Sequence, residues 1–241
     1  MSDTPKKPRA KKKAEPKADS APETPRTENR ETQSDDAMKA AVLAAALPHA
    51  AFDGFSQKVL DEAGKEAGAA KAELKRLFPE GPLGLVEFYS MQADAEMEQR
   101  LAALDLSRLK IRARIAAAVT ARLQVLKPNK EAARRAAALL SLPVHAALGA
   151  KLMYRTVDAM WRAAGDTSTD FNFYTKRGIL AGVYGSTLMR WFNDTSADES
   201  ATTEFLAARI ENVMQFETLK AQVKTGFDRF AAAFAQARKP G

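Results

Sequence analysis

The chain has 241 residues, 46% of them hydrophobic, which is enough for one sizeable core or two small ones. It holds no cysteine, and its two histidines, His49 and His145, are far apart, so disulfides and thiolate metal sites are excluded and a histidine-rich metal site is not expected. The net charge of +7, from 37 Lys and Arg against 30 Asp and Glu, suits nucleic acid or anionic lipid and does not choose between them.

Residues 1–37 are rich in Pro, Lys, Glu and Thr, with basic residues first and acids gathered from Glu23 to Asp36. They lack the apolar side chains needed to offset ordering entropy, so a disordered charged tail is expected. The tail either solubilises the chain or binds phosphates. It carries neither the apolar stretch of a secretory signal nor the acid-free pattern of a presequence. No apolar run reaches the roughly 18–20 residues of a membrane span. The expectation is a soluble or peripherally bound protein.

From Met38 the chain reads as helix throughout. Ala, Leu, Lys, Glu and Arg dominate, and no stretch alternates long enough for a strand. Pro48 and Asp53-Gly54 predict the end of a first helix at about 38–47. Ser56 caps a second over 57–67, and Gly68 precedes a third over 69–77. Pro79, Gly81 and Pro82 break the chain before a fourth over 83–103. A fifth follows Asp105 and runs to Leu126. Pro128 and Asn129 open a sixth over 130–140, and Pro143 a seventh that runs to Ala164. An eighth spans 171–192 and a ninth 201–217, with a polar loop between them from Asp194 to Ser200. A last segment covers 218–238. The fold class expected is all-α: a helical bundle of about nine helices over 38–217, followed by an amphipathic helix in 218–241.

Within residues 38–80 the first helix and the two short ones after it outline a helix-turn-helix. Leu74-Lys-Arg-Leu-Phe78, the Pro/Gly break and Leu83-Gly-Leu-Val-Glu-Phe-Tyr89 resemble the junction after the recognition helix in TetR-type regulators. The candidate recognition helix holds Lys71, Lys75 and Arg76 beside Glu73. It lacks Asn, Gln or a second Arg for base edges. Two readings follow: a DNA-binding regulator, or a retained fold whose DNA contacts are lost.

On the seventh helix Val144, Leu148, Leu152, Val157 and Trp161 form an apolar stripe, with Met153 and Met160 off its centre. Asp166-Thr-Ser-Thr-Asp170 then offers oxygens where the eighth helix begins. Helix capping explains them, and the carboxylates are too few for a calcium cage. Asp170, Tyr174 and Arg177 are spaced by four and three and so share a helix face. Adjacent Phe173 and Tyr174 cannot both face a core. The face is either an interface or an ordinary core aromatic beside a local Asp–Arg pair. Farther along, Leu180, Val183, Tyr184 and Leu188 belong to a helix that is apolar on nearly every side. Gly178, Gly182 and Gly185 leave room there for close helix approach or a ligand.

The last segment places Leu219, Val223, Phe227, Phe230 and Phe234 on one stripe with Lys220, Lys224, Arg229, Arg238 and Lys239 outside it. That pattern fits a helix lying in a membrane interface, or one docked on the protein's own core.

The run Trp161-Arg-Ala-Ala-Gly-Asp-Thr-Ser-Thr-Asp-Phe-Asn-Phe-Tyr-Thr-Lys-Arg177, within Leu152–Tyr184, resembles the lipid-binding accessory family of ubiquinone biosynthesis. So do Arg209-Ile-Glu-Asn-Val-Met-Gln-Phe216, Phe52-Asp-Gly-Phe55, Phe78-Pro79 and Leu109-Lys-Ile-Arg112. The similarity covers about 38–217 and is most specific over 141–217. It implies a dimeric TetR-like fold that binds an isoprenoid or quinone lipid instead of DNA, with no catalytic residue and no cofactor. It implies a role as accessory to the di-iron demethoxyubiquinone hydroxylase. The place would be the inner membrane surface, cytoplasmic in a bacterium or on the matrix side of a mitochondrion. The family's partner-binding patch maps onto Met160, Asp170, Phe173, Tyr174 and Arg177. Some members carry Trp where this chain has Phe173, so its indole N–H is missing here. The implied lipid-binding residues are Trp161, Leu180, Val183, Tyr184 and Leu188. A membrane-binding C-terminal helix is also implied.

Overall fold

The computed structural model describes Met1, residues 24–167 and residues 171–213, apart from the side chains of residues 24–32, 171 and 172. The chain divides into two units, Met1–Ala37 and Met38–Gly241. All regular structure among the described residues is helical. In chain order it comprises α1 (Thr24–Asp53), α2 (Gln57–Glu66), α3 (Lys71–Leu77), α4 (Pro82–Ala102), α5 (Ile111–Leu126), α6 (Lys130–Leu140), α7 (Ala146–Ala163) and α8 (Phe171–Phe192). A further helix, α9, covers 200–213.

Two boundaries differ from the expectation. The first helix begins at Thr24 and not at 38, so the tail read as disordered is helical over 24–37. Pro25 sits in its first turn, where a missing N–H is not needed. No glycine or proline follows until Pro48. Pro48 then removes one hydrogen bond without ending α1. Val42, Leu43, Ala46 and Ala50 are buried on both sides of it, so the packed face continues across the proline. The helix ends at Gly54, whose N–H makes the last helical bond, to the Ala50 carbonyl at 3.0 Å, and whose φ of +71° then turns the chain away. The second difference is the start of α5. Asp105 accepts from the backbone N–H and hydroxyl of Ser107, which closes a 3-10 turn over Leu106–Arg108 and delays the helix to Ile111.

Elsewhere the punctuation acts as read. Ser56 Oγ accepts from Val59 N–H at 3.3 Å and caps α2. Gly64 lets α3 approach closely, because a Cβ there would lie 2.7 Å from Leu74 Cδ2. Pro82 takes the first turn of α4. Pro143 opens a 3-10 turn, not the helix itself, which leaves Val144 80% exposed and off the expected stripe.

Within the second unit α4 packs chiefly on α5 and α7, and α7 on α8. Met97 of α4, Val119 of α5 and Val157 and Met160 of α7 are sealed at that junction. The end of α8 is fastened by side chains. Arg134 donates to the Phe192 carbonyl. Trp191 Nε1 donates to Glu199 at 2.8 Å. Asp194 accepts from Ser196 and Thr202, which holds its carboxyl well below the usual range and ties the loop to α9. Residues 214–241, with the expected membrane-facing helix, lie outside the described residues. No single described helix is long and apolar enough to cross a membrane.

Gly149 of α7 gives a test of this packing. A Cβ there would stand 2.8 Å from the Leu140 carbonyl oxygen, backbone that cannot turn aside. Helix propensity alone favours alanine by about 1 kcal/mol. We expect Gly149→Ala instead to lower the free energy of urea unfolding by roughly 1–3 kcal/mol. Gly182→Ala, which meets nothing within 4 Å among the described residues, should leave stability unchanged or raised.

Candidate functional site

A cavity of about 410 Å³ lies between α4, α5, α6, α7 and α8. Helical spacing builds its walls. Gly149, Leu152, Met153 and Thr156 come from one face of α7, and Tyr184, Gly185, Leu188, Met189 and Phe192 from one face of α8. On α6 the lining residues Ala133, Ala136 and Ala137 are small, and space remains where larger side chains would have closed the bundle. The volume falls in the range of small-molecule sites, roughly 300–1,000 Å³.

One wall is polar. Arg122 of α5 donates through Nε to Asp94 of α4 at 2.8 Å, and through Nη2 to the Ser90 carbonyl at 3.2 Å. Thr156 of α7 donates its hydroxyl to Asp94 at 2.9 Å. Arg122 is 3% exposed and Asp94 9%. Burial pushes the Asp94 carboxyl above its usual range, and the Arg122 charge and the Thr156 hydrogen bond oppose that. Beside them the Tyr89 hydroxyl is pushed up to about 12 by burial, with the Arg122 charge partly opposing, so it keeps its proton. Burial raises Tyr184 as well. The sequence reading missed this group. Its signal was a charge at a core position: Arg122 follows Ile115, Ala118 and Val119 on the buried face of α5, and Asp94 sits beside Ala93 and Met97 on that of α4.

The expected lipid-binding residues separate into two places. Tyr184 and Leu188 line the cavity between α4 and α8. Trp161, Leu180 and Val183 line a smaller one of about 90 Å³, walled also by Ile115 of α5 and Ile210 and Val213 of α9. Of the glycines, Gly185 lines the first of these cavities, Gly182 lines a wide groove of about 460 Å³ between α8 and α9, and a Cβ at Gly178 would meet nothing within 4 Å among the described residues.

The expected partner patch is only partly a surface. Tyr174 is 69% exposed, and the half-buried Phe173 packs edge-on to it at 5.1 Å. Met160 is fully buried, which corrects its reading as a contact residue. Arg177 shares the face of Tyr174 by spacing, yet it is 4% exposed. Its long stem folds the guanidinium back over the Phe173 ring, 3.3 Å from the centroid. There it meets Asp158 at 2.6 Å and Asp166 at 3.2 Å. These pairs brace the start of α8 against the end of α7, and Trp161 Nε1 adds a bond to the Lys176 carbonyl at 3.1 Å. Asp170, and with it the expected cap, lies outside the described residues. Among the described residues no group of three or more His, Asp or Glu side chains could hold a metal ion.

The arrangement is an all-α bundle with an internal apolar cavity, in a TetR-like fold. A TetR transcriptional regulator of Nitrosomonas europaea superposes with a TM-score of 0.59 at 19% identity, over 73% of this chain and 97% of that one. Sequence comparison goes further. The COQ9 family profile matches residues 146–217. The mitochondrial ubiquinone biosynthesis protein COQ9 of Rattus norvegicus is 32% identical over 82% of this chain and 65% of its own length. COQ9-B of Xenopus laevis, also named as mitochondrial, is 31% identical over 83% and 70%. The human protein is 30% identical over 82% and 64%. The chain belongs to the COQ9 family, and it spans about two-thirds of the length of these relatives.

The Arg177 cluster and the Tyr174 surface should separate on mutation. Arg177→Ala removes the buried cation that Asp158 and Asp166 share and leaves them the more exposed Arg162 and Lys176, and it should cost about 1–3 kcal/mol of unfolding free energy. Tyr174→Ala should stay within about 0.5 kcal/mol of the parent. Denaturant titration of both variants checks this.

Proposed function

We propose that this chain is a non-enzymatic accessory factor of ubiquinone biosynthesis. It takes an isoprenoid quinone intermediate from the membrane into the cavity between α4 and α8 and presents it to a hydroxylase. The observation that carries this reading is the cavity itself: apolar on α6, α7 and α8, of ligand size, and polar at one wall. The relatives' names, as ubiquinone biosynthesis proteins, supply the pathway.

The partner in this account is the di-iron demethoxyubiquinone hydroxylase. It docks on Tyr174 and Phe173, and on Asp170 as the family resemblance implies, while Met160 and Arg177 support that surface from beneath. The chain works as a homodimer. Residues 218–241 lie in the membrane interface through Leu219, Val223, Phe227, Phe230 and Phe234. The site of action is the surface of the inner membrane, on the cytoplasmic side in a bacterium or the matrix side in a mitochondrion.

The TetR-like fold gives the other reading, a DNA-binding regulator acting through α2 and α3. The seven residues of α3 carry Glu73 among their cations, which weakens phosphate contact.

We expect the purified chain to release an isoprenoid or quinone lipid on solvent extraction, read by mass spectrometry. Ala136→Phe, which fills the cavity from α6, should carry less of it with unchanged circular dichroism. Salt-dependent binding to duplex DNA with no extractable lipid would instead establish the regulator. For the partner face, Tyr174→Ala should weaken hydroxylase association in surface plasmon resonance while melting normally. Parental affinity would remove Tyr174 from the interface.

A further inference from the structure

The polar wall of the cavity has an unmet requirement. Tyr89 Oη and Arg122 Nη1 are both buried, and neither has a hydrogen-bond partner among the described residues. Tyr89 is 8% exposed and Arg122 3%. Both residues line the same cavity, and they lie close enough that the Arg122 charge acts on the Tyr89 hydroxyl. Native interiors leave few such groups, because each costs its full desolvation. The rest of the wall is committed elsewhere. Arg122 Nε and Nη2 are given to Asp94 and Ser90, and the Thr156 hydroxyl is given to Asp94. What remains is one guanidinium NH2 that can only donate and one phenol that keeps its proton.

Two unpaired donors on residues that line one apolar chamber call for an oxygen acceptor. Its charge is constrained as well. Asp94, 2.8 Å from Arg122, already neutralises the guanidinium. A carboxylate or phosphate would bring a second negative charge beside Asp94 in a poorly solvated site, with a single cation between them. An uncharged carbonyl or ether oxygen meets both donors without that repulsion. A purely apolar head would leave both donors unpaired.

We propose that Tyr89 and Arg122 are a headgroup anchor, donating hydrogen bonds to the uncharged oxygen of an amphipathic ligand whose apolar chain lies along α6, α7 and α8. This rests on the lipid-binding reading above and adds to it the class of head the cavity selects: a neutral, oxygen-bearing ring such as a quinone, in preference to a fatty acid or phospholipid. Tyr89 and Arg122 bind and orient that head.

The test uses the full chain and two probes of equal chain length, a decyl-substituted benzoquinone and decanoate, titrated calorimetrically at neutral pH. The parent should bind the quinone more tightly than decanoate. Tyr89→Phe removes only the unpaired hydroxyl, so it should melt at the parental temperature or above and lose roughly 2- to 10-fold in quinone affinity. Arg122→Lys keeps a cation for Asp94 and loses the free NH2, and should weaken quinone binding in the same direction. Parental quinone affinity in a normally melting Tyr89→Phe would overturn the anchor, the donors then being met by water. Decanoate binding as tight as the quinone's would overturn the selection for a neutral head. Failure of the parent to bind either probe would defeat the lipid-binding reading itself, and the anchor with it.

Discussion

Placing Asp94 and Arg122 inside a helical bundle removes two charges from water, at an effective cost of several kcal/mol per ion. The way α4, α5 and α7 meet follows from how that cost is met. Arg122 must reach across to α4, where Asp94 and the Ser90 carbonyl receive it. Thr156 must come down from α7 to satisfy the second side of the carboxylate. Three helices are thereby fixed in rotation and in height by one polar cluster, and the apolar residues around it, Met97, Val119 and Val157, are fully buried. A hydrophobic replacement would stabilise such a junction as well or better, so stability alone does not account for the pair. The place of Arg122 on a cavity wall, with Asp94 behind it, accounts for it better.

The cavity persists because small residues stand where large ones would collapse it. The alanines of α6 and Gly185 of α8 leave open a volume that Leu or Phe would fill, while Gly149 lets α7 come close to the end of α6. The helix that closes the cavity also carries the exposed aromatic surface. Tyr174 lies in the first turn of α8, and Tyr184 to Phe192 form the cavity wall further along. The Arg177 ion pairs pin that first turn to α7. A partner seated on Tyr174 would therefore touch the same rigid element that lines the ligand chamber.

Much of the fold was legible because proline and glycine punctuate it. The bounds of α6 and α8 fall where Pro128, Asn129 and the Asp166–Asp170 loop put them, and the cap on α2 is the residue read as one. Pro48 misled, since a local signal to stop was outweighed by a buried face that continues past it. The aromatic run of α8 pointed to Tyr184 and Leu188, which do line the cavity, and to Trp161, Leu180 and Val183, which line a different one. Spacing placed Arg177 beside Tyr174 at the surface. It fixed the angle at which the side chain leaves the helix but could not show the acids behind it that turn the guanidinium inward. Asp94 and Arg122 went unread for a related reason. Each alone resembles a solvated charge on an alanine-rich helix, and only their meeting across 28 positions of sequence gives them meaning.

The claim on which the rest depends is that the space between α4 and α8 is the ligand chamber. Methionine methyl groups report on it without altering it. Met153 and Met189 line the cavity, while Met97 and Met160 are sealed in the core away from it. With ¹³C-methyl methionine in the full chain, a titration with a long-chain quinone should move the Met153 and Met189 resonances together and leave Met97 and Met160 nearly in place. Binding that moves neither cavity methyl, or that shifts only the other methionines, would contradict the account.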